Sequence, residues 1–184
     1  MDYAVEPLSR QDIRKFAMKI RKIVGLADTF YFPIVGFIEY TMVELDNKFN
    51  FEVCKVSEMS NNHGLMVPDQ NLIRIREDVY ERAIENSGRD RTTIAHELGH
   101  YMIHLPQSIS FPRKFEKEIM PAYVSSEWQA KAFAGELLMP AHLCWDLSPE
   151  EIVEKCAVSY EAASYQKHVF QLKSITRERG DVYA

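Results

Sequence analysis

The chain of 184 residues is 46% hydrophobic and 27% charged, a composition typical of a globular protein with room for one domain and its core. The formal net charge of -5 lacks the excess of lysine and arginine that neutralises phosphates, so nucleic acid is not expected to be the main partner, although a local basic patch is compatible with it. The cysteines Cys54, Cys144 and Cys156 are scattered without C-x-x-C spacing, which excludes a disulfide framework and predicts reduced thiols.

The first residues and the most apolar stretch of the chain bear on targeting. Residues 1–7 are acidic and lack the apolar core of a signal peptide. The most apolar stretch, residues 30–38, contains Pro33 and falls short of the roughly 20 residues that span a bilayer. The sequence therefore predicts a cytoplasmic protein with no membrane partner.

Apolar spacing and turn-forming residues divide the N-terminal part of the chain into helices and strands. They predict a helix over 9–25, a helix that begins at Pro33, a strand over 49–56, and two short strands over 65–67 and 72–75. The apolar face of the second helix would carry Phe37, Ile38 and Met42.

The remaining elements are predicted to be mostly helical. They are a helix over 78–84, a helix opened by a capping box at 87–90 and running to Leu105, a connection over 107–124, a helix over 126–139, and helices from 148 and 159. We expect one metallopeptidase domain over 1–184, made of N-terminal helices (1–48), a catalytic core (49–145), a C-terminal helical segment (146–173) and a polar tail (174–184).

The central chemical signal is an H-E-x-x-H motif, His96-Glu97-Leu98-Gly99-His100. Positions i and i+4 share one face of a helix, so both imidazoles can reach a single metal ion. Glu97 can swing toward a metal-bound water, whose pKa the metal lowers, and take its proton. The motif predicts a hydrolytic zinc centre with Glu97 as the general base.

A third protein ligand is needed, because zinc in a hydrolase usually takes three and leaves one position for water. The best candidate is Glu127, at the start of the helix over 126–139. Its row on that helix continues with Ala130, Ala134 and Leu138, so an unpaired carboxylate there would be costly. Glu136 is the rival, but it lies about half a turn round the helix and is expected to face solvent.

The other histidines are expected to lie outside the ligand set. His104 follows His96 by about 12 Å along the helix axis, too far for both to bind one ion. It is expected to line the cleft, to contact a ligand from behind, or to pack in the core. His63, His142 and His168 are isolated and are expected to be non-catalytic.

Two segments, 91–101 and 127–140, together with His104, resemble the ImmA/IrrE family of metallo-endopeptidases. The resemblance is clear over about residues 65–172, where 73–80 looks like the strand before the active helix. It implies a zincin-like α+β fold with a small β-sheet, an edge strand beside the cleft, an H-E-x-x-H helix, a second ligand helix and a C-terminal helix-turn-helix-like segment.

The resemblance also implies a site and a substrate. It implies His96, His100 and Glu127 as ligands of Zn²⁺ and Glu97 as the general base. Relatives of this type commonly cleave a helix-turn-helix repressor, which relieves repression in mobile elements or stress responses.

A substrate chain is expected to pair along the edge strand, backbone to backbone. A second electrophile is expected to stabilise the oxyanion, and Tyr123, His104 and His142 are its open candidates.

The alternative hypothesis is that the protein is a non-proteolytic regulatory module, which holds a structural metal and binds a repressor or DNA through residues 150–172. That segment is not strongly basic, since Lys155 and Lys167 are offset by several glutamates. Structural zinc sites usually have four protein ligands, and the three found here favour the enzyme.

Overall fold

The computed structural model describes residues 2–105 and 121–180, with side chains as far as residue 172. Most of the predicted connection over 107–124 and the last four residues of the predicted tail lie outside this part of the chain. Within it, no helix is both long and apolar enough to cross a membrane.

The first helix, α1 (Arg10–Ile23), confirms the helix predicted over 9–25. Ser9 caps it, since its hydroxyl accepts a hydrogen bond from the backbone N–H of Asp12 at 3.2 Å. Its apolar side is buried, with Ile13, Ala17 and Ile20 in the core.

The helix predicted to begin at Pro33 is present but is divided into three parts. They are α2 (Ile34–Gly36), a π-helical turn (Phe37–Thr41) and α3 (Met42–Leu45). The predicted apolar face is buried as expected, with Phe37, Ile38 and Met42 in the core.

The described residues form a small three-stranded sheet with β1 (Asn50–Cys54), β2 (Gly64–Val67) and β3 (Leu72–Arg76). The strand order is β1-β3-β2, so β3 is central, parallel to β1 and antiparallel to β2. Strand β2 therefore lies at an edge and is paired on one side. The predicted strand over 49–56 is too long, because a helical turn, α4 (Val56–Met59), begins at its end.

Helix α5 (Glu77–Ile84) leads from the sheet to α6 (Gly88–Gly99), which continues as a π-helical turn, His100–His104. Such turns are rare and are often found at functional sites. The helix predicted to reach Leu105 is thus confirmed as a continuous helical segment.

The predicted capping box at the start of α6 is wrong. The Ser87 side chain makes no hydrogen bond to the backbone of the helix and donates instead to the Asp90 carboxylate at 2.6 Å. Arg82 donates to the same carboxylate at 2.8 Å. Arg82 of α5 therefore binds the Asp90 carboxylate, which in a capping box would accept a hydrogen bond from the backbone N–H of Ser87.

The last helices are α7 (Ser126–Leu138), α8 (Ala141–Cys144), α9 (Pro149–Cys156) and α10 (Tyr160–Gly180). They confirm the helices predicted over 126–139 and from 148 and 159. Helix α10 continues beyond residue 173, where the helical segment was expected to end. A helix that has already begun extends readily through residues of good helix propensity.

Helix α6 lies at the centre of the fold, between the sheet and α7. Ile94 and Leu98 are fully buried on one side, and His100 and His104 are buried on the other. The polar side chains that are buried on such a helix must find their hydrogen-bond partners within the protein. This mixed arrangement of helices with a small sheet confirms the predicted α+β fold class.

The cysteines are all buried and unbonded, as predicted. The sulfur atoms of Cys144 and Cys156 lie 3.7 Å apart, as two thiols in contact.

We expect mass spectrometry of the alkylated native and reduced proteins to show no disulfide-linked peptides. Alkylation of Cys144 and Cys156 should require unfolding, because both are fully buried. A peptide linked through Cys144 and Cys156 would contradict the reducing compartment that the sequence predicts.

Candidate metal centre

The close crossing of α6 and α7 brings the two predicted ligand segments together. A Cβ added to Gly99 would lie 3.1 Å from both the Cα and the carbonyl oxygen of Ala130. The missing side chain therefore lets the two helices approach at this point. Since Gly99 precedes His100 and Ala130 lies one turn after Glu127, the crossing places a histidine opposite a carboxylate.

The side chains of His96, His100 and Glu127 meet at this crossing. Each offers one ligand atom, and these three atoms all lie within 4.8 Å of one another. The two Nε2 atoms are 3.1 Å apart, and the Glu127 oxygens lie 3.3 Å from His96 Nε2 and 3.6 Å from His100 Nε2. Ligands bound tetrahedrally at ~2.0–2.2 Å are separated by roughly 3.3–3.6 Å. The donor set and its spacing therefore fit a zinc ion, while ligation itself stays a prediction.

Burial keeps the histidines of this site in the form that binds metal. It lowers the pKa of His96, and it lowers the pKa of His100 to about 4, helped by the neighbouring His96. Both imidazoles are therefore uncharged near neutral pH and have a lone pair to offer a cation.

The Glu97 carboxylate lies against the edge strand β2. It accepts a hydrogen bond from the backbone N–H of Met66, and its side chain passes close over Gly64, where a Cβ would lie 2.6 Å from Glu97 Cγ. Burial, and then the charge of Glu127, raise the pKa of Glu97 to about 7. A carboxyl with such a pKa can accept and return a proton near neutral pH.

His104 lies behind the site and not in the cleft. It is 2% exposed, and its Nδ1 lies 3.1 Å from Nδ1 of His100. Of the roles left open by the sequence, contact with a ligand from behind is the one that this geometry supports.

The expectation that Glu136 faces solvent is wrong. Its side chain is fully buried, and α1 supplies two cations, with Arg10 Nε at 2.9 Å and Arg14 Nε at 2.7 Å. The half-turn separation from Glu127 is correct, but α1 covers that side of α7. Glu136 is therefore held in an ion-pair cluster away from the histidines.

The remaining candidates lie in different surroundings. His142 donates to the carbonyl of Ala27 at 2.9 Å, and Nδ1 of His63 lies 3.1 Å from Nη2 of Arg76. His168 is exposed on α10. Tyr123 is exposed in the 3-10 turn Ala122–Val124, directly before α7.

Sequence reasoning missed an N-terminal segment, residues 2–8, that packs on the start of α7. The Asp2 carboxylate accepts hydrogen bonds from the hydroxyls of Ser125 and Ser126 and from the backbone N–H of Glu127. The ring of Tyr3 lies 6.1 Å from that of His104. Hydrophobic periodicity does not reveal this segment, because it forms no helix or strand and its contacts are more than 100 residues away along the chain.

Gly64 and Met66 of β2 were also missed as part of the site. The strand pattern predicted that β2 exists, but not which of its backbone groups face α6. Only the antiparallel register with β3 decides which N–H groups point outward.

Comparison with known proteins bears on the whole of this site. The sequence profile described as the IrrE N-terminal-like domain, a metallopeptidase family, matches residues 54–166, more than half of the chain. The match spans the three-residue group and Glu97 and begins at the end of β1. No curated protein sequence matches the chain. With the α+β fold and the paired helices in place, the chain belongs to the ImmA/IrrE family of metallopeptidases.

Proposed function

We propose that this protein is a zinc-dependent endopeptidase that cleaves a helix-turn-helix transcriptional repressor and so relieves repression. Family membership supports the peptidase chemistry. The repressor substrate is carried over from the resemblance to the family, and a role in a mobile element or a stress response comes with it.

The observation that carries the proposal is the position of Glu97. It follows the proposed ligand His96 on α6, the charge of Glu127 raises its pKa, and its carboxylate contacts the edge strand β2. A structural zinc site needs no adjacent base and usually has four protein ligands. Three ligands with a buried carboxylate beside them are typical of a hydrolytic centre.

Zinc, when bound, supplies Lewis-acid activation of the scissile carbonyl and of the attacking water. Glu97 takes a proton from that water and returns it to the leaving amine. The N–H of Met66 holds the carboxylate in place during the transfer. The substrate backbone pairs along the side of β2 that no described strand occupies, which directs its peptide bond to Glu97.

The electrophile that stabilises the oxyanion is a tyrosine in this scheme. His104 is buried behind His100, and His142 is bonded to the carbonyl of Ala27. Tyr123 is exposed directly before α7. Tyr3 lies near the site, and burial and the charge of Glu127 raise its pKa.

The purified protein is expected to contain about one zinc ion per chain, measured by inductively coupled plasma mass spectrometry. A crystal structure with anomalous data at the zinc edge should place His96, His100 and Glu127 at ~2.0–2.2 Å from the ion. An ion more than ~4 Å from these side chains would show that the ligand set is wrong.

Gly64→Ala is expected to lower peptidase activity by about 10²-fold, because the new methyl group would displace the Glu97 side chain from its place over β2. Zinc content should not change, since Glu97 is not a proposed ligand. Gly36→Ala is the matched control, because its Cβ would meet only Tyr40 Cδ2 at 4.0 Å. Equal activity of the two variants would show that Gly64 does not help to position Glu97.

The proposed substrate is tested with the repressor encoded beside the gene for this protein. Metal-loaded protein should cut that repressor at a discrete position, and a chelator should stop the cut. An unrelated helix-turn-helix protein of similar size serves as the control for non-specific proteolysis. If the repressor stays intact while the metal-loaded enzyme cleaves a generic peptide library, the substrate is wrong and the peptidase activity stands.

A further inference from the structure

A buried chain of hydrogen bonds runs from His100 to a glutamine of α7. Nδ1 of His100 lies 3.1 Å from Nδ1 of His104, and Nε2 of His104 lies 3.1 Å from Oε1 of Gln129. Gln129 is fully buried and His104 nearly so. Each hydrogen bond in such an enclosed chain needs one donor and one acceptor, so the direction of one bond sets the direction of the next.

At the Gln129 end of this chain of hydrogen bonds, the donor and the acceptor are fixed. The side-chain nitrogen of Gln129 donates to the backbone carbonyls of Glu6 and Tyr123, each at 2.8 Å. Carbonyls only accept, so this end of the amide must be nitrogen and the other must be oxygen. The usual ambiguity of a glutamine side chain is therefore removed by its surroundings.

The direction of the hydrogen bond at Gln129 then determines which ring nitrogen donates in His104 and in His100. Because Oε1 of Gln129 can only accept, the facing Nε2 of His104 must bear hydrogen, and a neutral His104 has its lone pair on Nδ1. Nδ1 of His100 must therefore donate to it. The lone pair of His100 is left on Nε2, which faces His96 and Glu127.

We propose that Gln129 and His104 are positioning residues, which fix the tautomer and ring orientation of His100 so that its Nε2 is presented to the metal. This inference rests on the proposed zinc site and extends it to two residues that touch neither metal nor substrate. The carbonyls that orient Gln129 belong to the N-terminal segment and to the turn before α7. Metal affinity is thereby linked to a segment outside the region matched by the family profile.

Partners that orient a metal-bound histidine are typically worth 10- to 100-fold in metal affinity. Gln129→Met and His104→Phe should each weaken zinc binding by about that factor, measured by competition with a chelating dye on metal-free protein. His104→Gln should restore most of the affinity, because its amide oxygen can accept from His100 and its nitrogen can donate to Gln129.

The matched control is Tyr101→Phe, on the same π-helical turn. It removes a hydroxyl that donates to Asp46 at 2.8 Å, without touching the chain of hydrogen bonds. Its zinc affinity should equal that of wild type. Thermal unfolding of each metal-free variant shows whether the fold is kept.

Nitrogen-15 NMR of the imidazoles tests the tautomers directly in the metal-free protein. We expect His104 with hydrogen on Nε2 and His100 with hydrogen on Nδ1, and a changed tautomer balance in Gln129→Met. The opposite tautomer of His104, or unchanged zinc affinity in both Gln129→Met and His104→Phe, would overturn the inference. If wild type shows the expected tautomers but binds no zinc, the inferred hydrogen-bond direction stands and the zinc proposal fails.

Discussion

Glu97→Gln is expected to bind zinc as wild type does and to cleave substrate roughly 10²- to 10⁴-fold more slowly. The two side chains are nearly equal in size, and the amide oxygen can still accept the hydrogen bond from the N–H of Met66. An amide cannot take a proton from the attacking water, so the loss falls on the chemical step. The rate is measured as kcat with a quenched fluorescent peptide that spans the cleavage site, beside the zinc content.

His96→Ala is the counterpart of this variant and should lose metal and activity together, because it removes a proposed ligand. The pair separates the chemistry from the assembly of the site. If Glu97→Gln keeps its zinc and still relieves repression in cells, cleavage is not the mechanism. The non-proteolytic regulatory module would then be the better account.

DNA binding by the C-terminal helices is disfavoured by their charge, and not by the contacts that α10 makes. Phe170 is buried and stacks on Trp145 at 5.4 Å between ring centroids, and Gln166 accepts a hydrogen bond from Arg10 at 2.5 Å. One side of α10 is thus occupied by the core and by α1. The opposite side of α10 is exposed, as the groove-facing side of a recognition helix would be, but the charge of this region is not basic.

Glu136→Ala is expected to lower the free energy of unfolding by about 3–5 kcal/mol, because it leaves two arginines near the core without their counter-ion. Arg10 and Arg14 reach the Glu136 carboxylate from α1 at 2.9 and 2.7 Å. Urea unfolding followed by circular dichroism measures the loss. Glu136→Gln keeps the shape of the side chain and gives a folded variant if the alanine variant does not fold.

The matched control for this variant is Glu52→Ala. Glu52 pairs with Arg74 at 2.9 Å, the same distance as the Arg10 pair, but the two side chains are 50% and 40% exposed. Water screens such a pair, so the expected loss is below about 1 kcal/mol. Equal losses for the two variants would mean that burial of the Glu136 cluster contributes nothing to stability.

Local periodicity was enough to predict the parts of the fold and of the site that belong to a single element. The i and i+4 spacing places His96 and His100 on one side of their helix, and the row on α7 places Glu127 in line with the buried Ala130, Ala134 and Leu138. These are properties of one helix, so they hold whatever packs against it. The strands β2 and β3 were predictable for the same reason, since their short apolar runs and the turn-forming residues between them lie close together in the sequence.

The neighbours that meet those elements are set by the tertiary fold and could not be read from the pattern. Helical spacing places Glu136 away from Glu127, but it contains no information that α1 would cover that side with arginines, more than 120 residues away. The same is true of Gln129, whose partners are a histidine of another helix and two carbonyls. A sequence pattern determines the direction in which a side chain leaves its helix. The burial, charge and hydrogen-bond direction of that side chain depend on which distant segments pack there.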